Sequence, residues 1–260
     1  MAKGATVFQT NRAYGQWTRD EVLRGAATPA QWSVNVATQI ADQKLLALRN
    51  NLLGMGVATI DSMDTPSANY HIIDDSRGKI AGARAPFTFV RMNALLAKMG
   101  DARENIKAFA FHSSVLKDLI KDGLSTYGFD SVAGMLIKKD EPLAMGRTLI
   151  VVDSSALYSA LTSSYYTEYY VLGLAEGALQ ATIIADDEPV EKTVITTKVK
   201  TYQIRQDYDV DYSVQGMQWI TPGTNINPTD AELLTAARWD EYLSDHRECG
   251  IVKGIYNTLA

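Results

Sequence analysis

The sequence holds 260 residues, enough for one large domain or two intertwined smaller ones at roughly 100 to 200 residues per domain. Its 46% hydrophobic and 21% charged residues match an ordinary globular chain and exclude a disordered, collagen-like or disulfide-rich one. A net charge of −5 disfavours wrapping nucleic acid by charge alone, since neutralising phosphates needs clustered Lys and Arg. The single cysteine, Cys249, cannot form an internal disulfide and suits a reducing compartment. Positions 1–16 carry no apolar run behind Lys3, and no stretch of about 18 apolar residues occurs, so neither export nor a membrane span is expected.

The first element is a helix expected over 29–53. Thr28, Pro29 and Gln31 have the spacing of a capping box with proline at the first helical position. Val34, Ala37, Ala41, Leu45, Leu48 and Leu52 then recur every three or four residues, with Trp32, Val36 and Ile40 on an adjoining row, until Gly54 offers a stop. At 1.5 Å per residue such a helix is about 38 Å long, a beam rather than an ordinary core helix. Leu45 is expected in its packed stripe, so that Leu45→Asp would block folding or assembly. Residues 61–85, rich in Asp, Asn, Pro and Gly, read as an irregular connection.

Phe89, Met92, Leu95, Leu96 and Met99 mark a second helix that Gly100 ends. Alternation from Ile106 to His112 predicts a strand, and Ser113 or Ser114 a cap for a short helix through Val115, Leu116, Leu119 and Ile120. Leu149, Ile150, Val151 and Val152 form a continuous apolar run, as in a strand buried on both faces at the centre of a sheet. Long antiparallel strands are expected over 165–184 and 190–220. Pro228, Thr229 and Glu232 form another capping box, opening a helix through Leu233, Leu234 and Trp239, and Ile251, Val252 and Ile255 a terminal strand. No repeat or linker is visible, so the halves are expected to interleave.

The chemistry-bearing residues form no recognisable catalytic constellation. His71, His112 and His246 lack the spacing of a metal or hydrolytic site, and His246 with Cys249 is only a half-motif. His112, Ser113 and Asp153 can be drawn as a nucleophilic triad, yet no G-x-S-x-G elbow frames Ser113, which reads better as a helix cap. Gly54 and Gly56 read as a helix stop, and Gly173 and Gly177 as a strand bend, not as phosphate-binding loops. Asp207, Asp209 and Asp211 share one strand face, spread too widely for one calcium sphere, and suit a solvated face or a basic surface on a neighbour. Tyr165, Tyr166, Tyr169 and Tyr170 lack the interleaved cations of a base-stacking platform and suit packing or a protein interface. No metal or cofactor is expected.

Four stretches taken together carry a family resemblance: Arg12 to Trp17 (RAYGQW) ahead of the beam helix, Ile106 to Leu119 (IKAFAFHSSVLKDL), Gly146 to Asp153 (GRTLIVVD), and Asn227 to Trp239 (NPTDAELLTAARW) running on to Ile251, Val252 and Lys253. In this order they resemble the major capsid proteins of tailed bacteriophages, over most of residues 11–256. The resemblance implies an α+β chain of the Hong Kong 97 capsid fold, with a long spine helix, a peripheral domain with long β-strands and an axial α/β domain. Expected boundaries are a short N-terminal segment over 1–27, peripheral residues 28–85 with spine helix 29–53, axial residues 86–185, and return strands over 186–260 with a helix near 229–243. The family's arm and extended loop precede the Arg12 region, where this chain has about 11 residues, so those parts are expected to be missing or reduced.

The function implied is a coat protein, not an enzyme: copies self-assemble into hexamers and pentamers of an icosahedral virion shell enclosing double-stranded DNA, after assembly in the host cytoplasm. Its partners would be other copies of itself, DNA through weak non-specific contact, and scaffolding, portal or decoration proteins, with no membrane. Two alternatives are a hydrolase-like enzyme using His112, Ser113 and Asp153, and a cellular nanocompartment shell of the same fold.

Overall fold

A computed structural model describes residues 7–18, 29–63, 72–74, 85–121, 130–132, 135–138, 146–160, 167–195, 200–220, 227–243 and 245–258. In chain order these form β1 (Val7–Thr18), α1 (Pro29–Met63), β2 (Ile72–Asp74), α2 (Phe89–Ala97), β3 (Ile106–Phe111), α3 (Ser113–Lys121), β4 (Asp130–Val132), β5 (Met135–Lys138), β6 (Thr148–Val152), β7 (Tyr158–Ala160), β8 (Thr167–Ala175), β9 (Leu179–Asp186), β10 (Val190–Ile195), β11 (Lys200–Val214), β12 (Met217–Trp219), α4 (Asp230–Leu233), β13 (Trp239–Glu241) and β14 (Ile251–Thr258). The chain is therefore a mixed α+β structure. One sheet is built on β11, with β1 antiparallel along one edge and β9 and β10 sharing the other. The second runs β2-β14-β8-β3-β6-β5-β4, with β7 also on β8, and β12 pairs with β13 as a small ribbon.

The chain interleaves between these sheets. Strands β8 and β9 are not a hairpin. The turn between them, with Gly177 at φ +75°, carries the chain from the second sheet to the first. A positive φ favours glycine because a Cβ there meets its own backbone. Gly173, expected at a bend, lies inside β8, where an added Cβ would sit 2.7 Å from Val252 Cγ2 and 3.1 Å from Phe109 Cε1. Close packing excludes a side chain there. Strand β6 lies between β3, parallel, and β5, antiparallel, in the sheet interior its apolar run predicts.

Helix α1 differs most from expectation. It has 35 residues, about 52 Å, and passes through Gly54 without stopping. Gly54 and Gly56 answer to close approach instead. A Cβ on Gly54 would lie 2.0 Å from Leu234 Cδ2, and one on Gly56 within 3.1 Å of Leu179 and 3.3 Å of Leu172. Packing on several sides offsets a glycine cost of about 1 kcal/mol each. Leu53, Met55, Ala58 and Ile60 are all buried: Leu53 packs with Ala110, Val152 and Leu172 of the second sheet, while Met55, Ala58 and Ile60 join the core containing Val210 and Tyr212 of the first.

Toward its N-terminus α1 rests on the first sheet, and by a face rotated from the one its apolar pattern suggests. Val36, Ile40, Lys44 and Asn51 are buried, whereas Val34, Ala37, Ala41 and Leu45 are exposed. Lys44 can occupy the inner row because its ammonium meets Asp186 at 2.5 Å and lies over the Tyr208 ring. Asn51 Nδ2 donates to Asp230 Oδ1 at 2.9 Å and to the Tyr212 hydroxyl at 3.2 Å, and Gln9 Nε2 donates to the same carboxylate oxygen at 2.8 Å. Leu48 and Leu52 of the expected row are half-buried against the first core, so the packed face is a rotated version of the expected one, and two polar residues in it explain why counting apolar spacing misplaces it.

Two further expectations change. Within 61–85 the described residues are the end of α1, strand β2, which runs parallel to β14, and Ala85, which bridges Asn257 of the terminal strand. The Thr229 capping box forms, Thr229 N–H donating to Glu232 Oε2 at 2.8 Å and Thr229 Oγ1 accepting from Glu232 N–H. The helix it opens nevertheless ends at Leu233, because Trp239 turns back: its indole N–H donates to Leu233 O at 2.9 Å and its ring meets Trp219 edge-on. Strand β13 replaces the rest of the expected helix. The Thr28 cap lies outside the described residues.

Gly173→Ala should destabilise the subunit by about 1 to 3 kcal/mol, because neither Val252 nor Phe109 has room to retreat; urea midpoints of the two proteins measure the loss, and an unchanged midpoint contradicts the close packing.

Candidate functional site

Strands β3 and β6 run parallel, and their carboxyl ends bring His112, Ser113 and Asp153 together as the sequence suggests. The connections are not those of a nucleophilic triad. Asp153 Oδ1 accepts the Ser113 N–H at 3.1 Å and lies 3.4 Å from His112 Nε2, while His112 Nδ1 accepts the Ser114 N–H at 3.2 Å. Serine and histidine thus converge separately on the carboxylate, whereas acyl transfer needs the histidine between the other two. Hydrogen bonding from Ser113, side chain first and then backbone, together with the charges of His112 and Arg49, holds Asp153 below the usual carboxylate range against the opposing effect of burial.

The arrangement holds the start of α3. Its first amides are taken by Asp153 and His112, and the His112 ring packs against Tyr158 and Tyr169 at centroid distances of 5.6 and 5.1 Å. Ser113 is the first helical residue rather than the cap itself. A histidine acting as acceptor for its own following helix has no simple sequence signal, which is why Ser113 looks like the better candidate.

The other singled-out residues scatter. His71, Tyr165 and Tyr166 lie outside the described residues, as does the His246 side chain. Cys249 is buried beside Ile251. Tyr169 stacks on His112, and Tyr170 lies under the Lys253 ammonium at 4.9 Å, so both rings serve internal packing. Among the described residues no group of three potential metal ligands gathers. Asp207 is engaged within its own chain by Arg205 and by Arg12, its cross-strand partner on β1, at 2.8 Å. Those two guanidiniums, Arg205 first, hold its carboxyl far below the usual range. The opposite face, Tyr208, Val210 and Tyr212, is buried, as the alternation predicts.

What the sequence does not reveal is a groove between the N-terminal half of α1 and strands β9 to β11. It is about 590 Å³ in volume, and its walls are Val36, Ala37, Ile40, Ala41, Leu45 and Ile183, with Lys44 and Asp186 joining across it. Leu45 is 49% exposed and Ile183 43% on these walls. Exposed apolar residues gathered in this way mark a contact surface for another macromolecule. The signal was present in the sequence as the apolar row of α1, read there as core.

The depressed Asp153 pKa sets a pH test. Such a carboxylate adds stability above its unfolded value near 4, and that contribution is lost as pH falls through the lower folded value. Asp153→Asn should therefore lower the urea midpoint between pH 5 and 7, with the difference from the parent shrinking below about pH 4; a difference that grows on acidification contradicts the assignment.

Solved structures similar to this chain include those titled Mycobacterium phage Ogopogo (11% identity, TM-score 0.45, 80% of this chain and 72% of that one) and Cyanophage Pam1 capsid asymmetric unit (11%, 0.44, 97% and 75%). A third, Mycobacterium phage Che8, is similar at 8% identity and TM-score 0.40, covering 95% of this chain and 70% of that one. No curated protein matches. A family model described as Major capsid protein 13-like matches residues 9–252. With that match spanning nearly the whole sequence, the chain belongs to the Gp13-like family of major capsid proteins.

Proposed function

We propose that this major capsid protein is the coat subunit of a tailed bacteriophage, with the Hong Kong 97 fold, assembling through hexamers and pentamers into an icosahedral shell around double-stranded DNA. The observation that carries the reading is the family match over residues 9–252, which implies a structural, non-enzymatic role in the virion capsid. The molecule offers supporting features. A 35-residue helix gives each copy a stiff member, and an exposed apolar groove beside it gives a surface for another copy. A net charge of −5 suits a wall that confines DNA without gripping it. In this reading residues 28–85 and 186–260 belong to the peripheral domain around α1 and 86–185 to the axial domain, with β2 and β14 crossing into the axial sheet and β9 into the peripheral one. Scaffolding, portal or decoration proteins would be its further partners.

Electron microscopy of the purified chain is expected to show closed shells with five-fold and six-fold clusters; monomers alone under all assembly conditions contradict the reading. Leu45→Asp separates folding from assembly. Leu45 is 49% exposed, so the variant should keep the parent's circular dichroism and melting within about 0.5 kcal/mol while losing shells. An unfolded variant contradicts the exposed position.

A further inference from the structure

His112 occupies the position just before α3, where a side-chain oxygen of Ser, Thr, Asn or Asp ordinarily accepts an amide of the first turn. Here a ring nitrogen takes that place: Nδ1 accepts the Ser114 N–H at 3.2 Å. An acceptor nitrogen carries no hydrogen, so the ring is neutral and its proton sits on Nε2, which lies 3.4 Å from Asp153 Oδ1. The charged and titratable groups facing the ring among the described residues are Asp153 after β6, Tyr158 of β7 and Tyr169 of β8, with the Arg49 charge of α1 felt by Asp153.

We propose that His112 is an acid-sensitive cap: a proton taken up by Nδ1 releases the Ser114 amide and opens the first turn of α3. The protonated ring carries a hydrogen on both nitrogens. The new one points at the Ser114 N–H, donor against donor, and turning the ring over puts a carbon, Cδ2, where the acceptor was. The charge is also misplaced, since it stands at the positive end of the α3 dipole. Asp153 does not compensate. Its attraction acts at Nε2, it is 67% exposed and screened by water, and its Oδ1 already accepts the Ser113 N–H at 3.1 Å. Histidine is the side chain whose ordinary charge change falls between about pH 5 and 8, so the cap is in place above that range and lost as pH falls through it. Opening stops after the first turn, because Val115 and Leu119 are buried in the second core. One subunit suffices for this, so the device goes beyond the capsid reading and stands whether or not copies assemble.

Nuclear magnetic resonance of the full chain tests the cap. The titration of the ring is read from its carbon-bound hydrogens, and the Ser113 and Ser114 amides from exchange rates corrected for their intrinsic dependence on pH. Protection of Ser114 should fall about tenfold across the His112 titration, as for a lost cap, while Ser113 stays protected until its carboxylate takes up a proton at lower pH. In His112→Asn, whose side-chain oxygen accepts but does not titrate, Ser114 should stay protected over the whole range. In His112→Ala it should exchange freely at every pH. Constant protection of Ser114 across the His112 titration overturns the proposal. So does a pH-dependent loss that persists in His112→Asn, which places the titrating group elsewhere, Asp153 first.

Discussion

The structure depends on one helix acting as the wall of two sheets. In its C-terminal half, successive residues of α1 face opposite cores: Leu53 packs on the second sheet, while Met55, Ala58 and Ile60 pack with the first. This two-sided burial requires glycines at 54 and 56, where Leu234, Leu179 and Leu172 press against the backbone. Its length follows from this task, since the first half lies along β11 and the second between the sheets.

Polar ties fix where along its axis α1 sits. Lys44 reaches Asp186 on β9, Asn51 reaches Asp230 and Tyr212, and Asp61 pairs with the buried Lys253 of β14. Each joins the helix to a part of the chain more than 140 residues away. Apolar packing tolerates sliding; a buried ammonium without its carboxylate does not. The Tyr212 phenol shows how enclosed this region is, since burial pushes its pKa up to about 12 even though Asn51 hydrogen-bonds it. Of these ties, Lys44 with Asp186 lies at the groove and holds that part of α1 with Ala37, Ala41 and Leu45 exposed.

Much of this was legible in the residues. The alternation of Asp207, Asp209 and Asp211 with Tyr208, Val210 and Tyr212 separates the two faces of β11, and the unbroken run Leu149 to Val152 places β6 inside its sheet. The strand–helix unit at 106–121 and the Thr229 capping box also follow from local chemistry. What escaped depended on partners distant in sequence. The inner face of α1 contains Lys44 and Asn51, whose burial makes sense only with Asp186 and Asp230 in place. Gly54 reads as a stop until Leu234 is seen against it, and α4 ends early because of an indole bond from Trp239. The contact surface was therefore misread as core for the same reason that the helix face was. The family resemblance, in contrast, rested on the order of short stretches and is borne out by the match over 9–252.

The shared wall has a direct consequence for unfolding: neither sheet can lose its structure while α1 stays folded against the other. Native-state hydrogen exchange on the unassembled subunit reads this. Amides of α1 over 53–60, of β11 and of β8 should share one exchange free energy, the highest in the chain, and fall together as urea is added. Separate free energies for β11 and β8, with fast exchange at 53–60, would contradict a common wall and make the two sheets independent units joined by a passive helix.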